Sequence, residues 1–466
     1  MNLAPAPLDP AERKRVQHTR LRRRLLYSEH RQDIVERIYR SLGGERGDAW
    51  GEPDLTANPF LQVWQQAAQL YTREPDVMGA EGSGGLLEAM TDAGTWSLMQ
   101  RVQRDALALR EMLMRVDVID GRLVLKPVFP DMVEARCSSS TPNVPEAISE
   151  LVEWQPNRWV RIVTDLGDAE TGVPPCYYAV EADSQGRDVS EEVLGHPKLE
   201  GDAYPFVDGA GVPFLNYVVY HASETGYLWD WRTLSEIVEG SLNIGVLLTF
   251  YQHMVRNASW PQRYTVNLTP EGPEVYHRGD GQNARRTMLV DPAVVLTFHQ
   301  QEETGQPMVG QWSSAGDPEA VLRSVSMYER RILLLAGLQP PDVARQEADV
   351  RSGYSLAVQR DSQREAQRLY EPMFRRADLE LLRVCAAMLN ALTGTDYPET
   401  GYRINYRGLP PSPVEEQAER EHVLELVAAG FLHPVEAYMR LHPGTTQEDA
   451  ERKLQEIATA RRALSA

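Results

Sequence analysis

Lysine is nearly absent from this chain of 466 residues: only Lys14, Lys126, Lys198 and Lys453 occur, and none follows a glycine. A phosphate loop of the form G-x-x-x-x-G-K-[ST] therefore cannot be built, which excludes a P-loop motor. Gly82-Ser83-Gly84-Gly85 looks like the start of such a loop, but it does not complete G-x-G-x-x-G either and reads as a plain hinge. Cysteine is equally scarce. Cys137, Cys176 and Cys385 are odd in number, far apart and outside any C-x-x-C, a pattern of buried reduced thiols and neither a disulfide frame nor a zinc set. No run of eighteen apolar residues occurs, and the first residues are proline-rich and then basic, which predicts no membrane span and no secretory signal, with assembly in the cytosol as the default. Neither G-x-S-x-G nor H-E-x-x-H occurs. The ten histidines are scattered; His433 and His442 border prolines and read as turn or surface residues. Acidic residues are too plentiful for any one pair to stand out as acid and base. The expectation is a non-enzyme with no cofactor and no metal.

Positive charge is the last shortage. Lys and Arg number 48 against 67 Asp and Glu, a net charge of −19. Tight non-specific DNA binding draws on phosphate neutralisation, so a chain that wraps DNA is disfavoured. What remains is ordinary globular material, 42% apolar and 25% charged, long enough for two to four structural units.

Along the chain, Ala11 to Leu42 reads as helix, with seven cations between Arg13 and Arg24; these fit nucleic acid, an acidic partner or a solvated face. A helix opened by Asn58-Pro59-Phe60 follows, and then one from about Leu86 to Arg115. Val116 to Leu125 is two alternating apolar runs across Asp120-Gly121, a hairpin signal. Leu151 to Trp154, Trp159 to Thr164, Cys176 to Glu181 and Phe214 to Tyr220 add strands, giving a mixed or antiparallel sheet resting on helices. From Asp230 the period becomes helical: Leu234, Ile237, Ser241, Gly245 and Leu248 fall on one small or apolar stripe, narrow enough for neighbours to pack closely. The helix ends near Asn257. A small strand-rich stretch follows, before Asp317-Pro318-Glu319 opens the next helix with an N-cap, a proline at the first position and an early acid. Helix, lobe, helix is the sequence of a projecting arm.

The stretch from Asp317 to Asn390 organises the whole. Its first helix stops at Gly337-Leu338-Gln339-Pro340-Pro341. A second begins near Gly353, contains Pro372 and ends at Gly394; forty residues at 1.5 Å each span about 60 Å, more than one small core needs. Pro372 is expected to bend it. Beyond Tyr402 to Tyr406 and the break at Pro410-Pro411-Ser412-Pro413, helices are expected at Val414 to Ala429, His433-Pro434 to Leu441 and Thr446 to Leu464. The class is α+β, mostly helical.

This order of parts resembles a tailed-bacteriophage portal protein, the head-to-tail connector ring subunit. The likeness is carried by Asn257-Ala258-Ser259-Trp260-Pro261, by Leu335 to Pro341, by Arg351-Ser352-Gly353-Tyr354-Ser355-Leu356-Ala357 before an Arg-rich helix, and by Glu425 to Phe431 with His433-Pro434. The resemblance implies a wing at 1–229, stem helices at 230–258 and 316–337, a clip at 259–315, a tunnel loop at 338–352, a long kinked helix at 353–409 and a crown at 410–466. It implies a homo-oligomeric ring, usually of twelve subunits, at a capsid vertex. That ring would pass double-stranded DNA transiently during packaging and ejection, and dock terminase, a head-completion or adaptor protein, and the major capsid and scaffolding proteins. The location implied is the virion, after assembly in the host cytoplasm and without membrane. Arg345, Gln346 and Arg351 become tunnel-loop residues that either touch phosphate or are solvated. Leu234, Ile237, Ser241, Gly245 and Leu248 become stem packing. Trp260, Arg263 and Tyr264 become clip residues, with Trp260 packing the lobe or docking a partner. Arg360, Arg364 and Arg368, with Asp361 and Glu365 beside them, suit salt-bridged subunit packing. The reading from a different class is a soluble enzyme with its site in the 116–220 sheet region; a third is an oligomeric DNA-binding scaffold.

Overall fold

Asp120 and Gly121 take φ of 51° and 74°, the two positive values that a two-residue type I′ turn needs. The flanking runs pair from Ile119 and Arg122 back to Leu113 and Val128, so the predicted hairpin is present. The computed structural model describes residues 10–41, 52–168, 171–183, 186–259, 262–271, 275–278, 285–288, 297–300, 306, 308–312, 317–338, 353–408, 413–442 and 445–465. The helices there are α1 Pro10–Leu26, α2 Arg31–Ser41, α3 Pro59–Ala67, α4 Gly84–Asp92, α5 Thr95–Leu109, α6 Ser190–Leu194, α7 Ser235–Ser259, α8 Pro318–Leu335, α9 Gly353–Thr393, α10 Pro413–Ala428, α11 Pro434–Leu441 and α12 Gln447–Ser465. The strands are β1 Asp76–Met78, β2 Glu111–Ile119, β3 Arg122–Val128, β4 Val133–Cys137, β5 Pro145–Gln155, β6 Arg158–Asp165, β7 Cys176–Glu181, β8 Leu199–Glu200, β9 Tyr217–His221, β10 Gln262–Val266, β11 Leu268–Glu271, β12 Val275–Arg278, β13 Arg285–Met288, β14 Thr297–Gln300, β15 Met308–Trp312 and β16 Arg403–Asn405. The class is α+β, mostly helical. Among the described residues no helix is long and apolar enough to cross a membrane.

The chain divides into two units, one of Met1–Tyr27, Phe60–Ser235 and Leu333–Ala466, the other of Ser28–Pro59 and Glu236–Ile332. The first is built on two antiparallel sheets, β3-β2-β9 and β4-β5-β6-β7-β8. Alternation along β2 decides what each face meets. Leu113 turns with Val128, Val133, Ile148, Leu215 and Tyr217 into the core between the two sheets. Met112, one residue away, pairs with Tyr220, whose ring lies 5.8 Å from Phe374 on α9. Leu381, Leu382, Val384, Cys385, Ala386 and Ala387 are all fully buried, so this end of α9 is enclosed on every side but that of Glu380 and Arg383.

Four sequence expectations are corrected. The helix predicted from Leu86 to Arg115 breaks at Gly94, φ 66°, and stops at Leu109; Arg110 turns to φ 80° and the chain leaves as β2. Strand pairing on both sides of β2 overrides the helical reading of Glu111 to Arg115. The helix predicted from Ala11 to Leu42 is broken at Ser28, φ 58°, where the division into units also falls. Leu234 is not in the stem helix: its φ is 57° and α7 starts at Ser235. The turn before it is held elsewhere, because Asp230 accepts from Ser223 at 2.9 Å and from Arg110 at 3.1 Å, and Arg22 donates to the carbonyl of Thr233. Finally, four of the seven α1 cations are engaged by groups of the chain itself. Arg15 donates to the carbonyls of Pro130 and Val133 at 2.7 and 2.6 Å, Arg22 to that of Ala108 at 3.1 Å, and Arg20 and Arg23 face the Asp131 carboxylate.

In the second unit α7 packs on α2 and α8. A Cβ at Gly245 would collide with the end of Ile34. Thr249 donates to the Gly245 carbonyl at 2.7 Å and accepts from the Asp54 amide at 3.0 Å, while Gln252 reaches the Asp54 carboxylate at 2.6 Å. The start of α7 meets the end of α8, where a Cβ at Gly240 would lie 3.0 Å from Ile332 Cδ1. Asp317 accepts from the Glu319 amide at 2.9 Å, the N-cap expected for α8. Between the two helices β10 pairs with β15, β11 with β14 and β12 with β13, three antiparallel pairs nested in sequence order.

Candidate functional site

The residues singled out from the sequence fall into three groups. Arg345, Gln346, Arg351 and Trp260 lie outside the described residues. Arg263 and Tyr264 stand on β10 opposite Gln311 and Gly310. Ile237, Ser241, Gly245 and Leu248 are buried on α7. The chain itself fills the close approach at Gly245, with Ile34 of α2, and the Ser241 hydroxyl turns back to the Ile237 carbonyl at 2.8 Å. The small residues thus serve packing within the chain at these positions. In α8 the buried stripe runs through Val325 and Ile332, and Leu322, Met327 and Tyr328 lie outside it, 40%, 51% and 38% exposed.

The most concentrated polar chemistry is in the first unit. Asp378, on the buried part of α9, accepts hydroxyls from Tyr71 at 2.7 Å, Tyr220 at 2.9 Å and Tyr406 at 2.5 Å. Burial pushes its carboxyl up to about 6, against the pull of the three phenol donors. The same burial, with the carboxylate beside them, pushes the three phenols up. A second cluster joins Arg110, Glu111 and Asp230: burial pushes Glu111 up to about 8, although the Asp230 amide donates to it. A third spans the two sheets, with Glu150 accepting from Arg115 at 2.6 Å and from Tyr217 at 2.8 Å. Nothing in the sequence pattern pointed to these. The one available signal was helical spacing: Phe374 lies four residues before Asp378 and Leu381 and Leu382 three and four after, which puts a carboxylate on the apolar face of α9, where it must find donors.

A groove of about 410 Å³ runs between β9 and α9, in the region where an enzyme site was the competing expectation. Its polar groups are matched in pairs, Arg376 with Glu224 at 2.9 Å and Arg383 with Glu380 at 2.7 Å. His221 there is pushed down to about 4 by burial, so it is neutral at pH 7. Among the described residues no group of three His, Cys, Asp or Glu is placed to hold a metal.

No family model matches the chain, and no curated protein does. Among solved structures the chain is similar to one from the neck of an empty GTA particle computed with C6 symmetry, at 14% identity and a TM-score of 0.39, covering 85% of this chain and 96% of that one.

Proposed function

We propose that the chain is the repeating subunit of a portal ring, the channel at a capsid vertex through which double-stranded DNA is loaded and released. The observation that carries the reading is α8: an amphipathic helix whose Leu322, Met327, Tyr328, Leu334 and Leu335 stay exposed in the single chain, returning from a strand-built lobe to meet the start of α7. Isolated exposed apolar residues are ordinary, but five on one helix of a helix–lobe–helix segment suit a neighbouring copy. The order of sequence motifs supports the same reading.

In this function residues 1–229 form the wing, α7 and α8 the stem, 259–315 the clip and 410–466 the crown. Trp260, Arg263 and Tyr264 meet terminase and then the adaptor. Arg345, Gln346 and Arg351 face passing phosphates. The ring, usually of twelve copies, sits in the virion after assembly in the host cytoplasm with capsid and scaffolding proteins. The work asked of the protein is assembly and passage, with no bond made or broken. The chain's net charge of −19 suits this, because a conduit that neutralised many phosphates would hold the DNA it must let go.

Light scattering after size-exclusion chromatography, with negative-stain imaging of the peak, tests the proposal. The expected result is a large ring with a central opening. A single chain at every concentration overturns it, and a turnover lost on changing His221 in the β9–α9 groove would establish the enzyme reading in its place.

A further inference from the structure

Away from α8 and the buried clusters, a cleft of about 330 Å³ opens beside the first turns of α1. Its walls are aromatic. Tyr227 is 66% exposed, and Trp229 and Trp231 are half-buried. The indoles are held rigidly from one side: the Arg15 guanidinium lies 4.3 Å from the Trp229 ring centre, Arg232 lies 4.7 Å from that of Trp231, and the His18 ring centre is also 4.7 Å from Trp231. The Leu228 amide donates to the Pro142 carbonyl at 2.9 Å and fixes the strip that bears them. Neither indole N–H is among the buried donors left without a partner, so in the half-buried Trp229 and Trp231 both open to solvent. Flat aromatic walls with N–H donors open at their edge suit a ligand rich in carbonyls, poor in N–H groups and already extended. A proline-containing strand has those properties, since its backbone makes no internal hydrogen bonds and loses little entropy on docking.

We propose that this cleft is a docking groove for such a strand, and that its occupant is the chain's own segment before α1. That segment reads Met1-Asn2-Leu3-Ala4-Pro5-Ala6-Pro7-Leu8-Asp9 and lies outside the described residues. It joins α1 at Pro10, and Glu12 and Arg15 two and five positions on line the cleft, so the segment starts at the cleft's edge. At polyproline rise nine residues reach about 28 Å, ample to cross a groove of this size. Tethering makes the docking intramolecular, so weak contacts suffice and a free proline-rich peptide must compete with a millimolar-range effective concentration. The inference stands apart from the portal reading, because the groove belongs to one chain whatever ring it forms.

Cys137 lines the same cleft and supplies the test. Cysteine is introduced at the segment as Ala4→Cys or Ala6→Cys, in full-length chain carrying Cys176→Ser, with Cys385 fully buried. Mild oxidation, peptide mass mapping and a non-reducing gel then follow the disulfide. The expected result is an intrachain link to Cys137 from at least one position, forming at least tenfold faster than from a control Gln100→Cys on α5, and slowed at least threefold by Tyr227→Ala. A link between chains overturns the assignment by giving the groove to a second copy. Rates no faster than the control at both positions overturn it altogether. A second reading is independent of thiol chemistry: deleting residues 2–8 should increase acrylamide quenching of tryptophan emission, and the increase should vanish in a Trp229→Phe, Trp231→Phe chain. Unchanged quenching counts against the proposal.

Discussion

The second half of α9 and the whole of α8 are both helices with a strong apolar stripe, and they use it in opposite ways. From Phe374 to Leu389 every apolar side chain of α9 except the half-buried Leu379 is buried within its own chain, and the one charged residue buried with them, Asp378, is answered by three tyrosines. In α8 only Val325, Ile332 and Leu333 are buried, while Leu322, Met327 and Tyr328 remain outside. The first helix is finished by intramolecular packing. The second leaves part of its apolar surface open to solvent in the single chain. The two helices should therefore respond to substitution differently.

The largest expected effect is on the finished side. Phe374 is fully buried, with Tyr71 at 6.2 Å and Tyr220 at 5.8 Å between ring centres. Phe374→Ala should cost about 3–5 kcal/mol of chain stability, the usual penalty for such a cavity. Denaturant unfolding of the isolated subunit measures it; a loss under about 1 kcal/mol would mean α9 is not the core element described here.

Next comes pH. Glu111 and Asp378 are both buried carboxyls raised above their ordinary values, to about 8 and about 6. For a raised carboxyl the protonated form is the one the fold favours. Stability is therefore full below the ordinary carboxylate range near pH 4 and is lost as pH rises through 6 for Asp378 and through 8 for Glu111. Glu111→Gln keeps an oxygen for the Asp230 amide and removes the ionisation, so the decline in stability between pH 5 and 9 should flatten by a few kcal/mol. Asp378→Asn should flatten the narrower window between pH 4 and 6. Melting temperatures taken across that range decide it, and profiles parallel to the parent would show these carboxyls to be ionised throughout.

Much of the fold was legible from local pattern. The Asp120-Gly121 hairpin, the Asp317 cap of α8, the long α9 ending at Gly394 and the three C-terminal helices all follow from short-range rules that act within a few residues. What was not legible came from distance. Glu111 to Arg115 has helical neighbours but becomes strand because β9, more than a hundred residues later, pairs with it. Arg15 and Arg22 read as a basic face and prove to be carbonyl donors inside the first unit, because the acceptors, near residues 108, 130 and 233, are remote in sequence. Ser241 and Gly245 read as subunit spacing, and the partner at Gly245 is Ile34, two hundred residues earlier. Of the candidate site, residue identity was legible and surroundings were not. A tyrosine triad around one aspartate has no sequence spacing to betray it, since its members stand on four separate segments.

The smallest expected effect in energy is the most telling for function. Met327 is half exposed on α8 and makes no core of its own, so Met327→Asp should change the stability of the isolated chain by less than about 0.5 kcal/mol. If α8 packs against a neighbouring copy, the same carboxylate is driven into an apolar interface. Assembly should then need at least tenfold more protein, about 1.4 kcal/mol per contact, and repetition around a closed ring makes the loss cumulative. Sedimentation velocity across a concentration series, with melting curves on the dissociated chain, separates the two terms. A variant that unfolds places Met327 with Phe374 in the subunit's own core. One that assembles like the parent removes α8 from the interface, and the portal reading loses the observation that carries it.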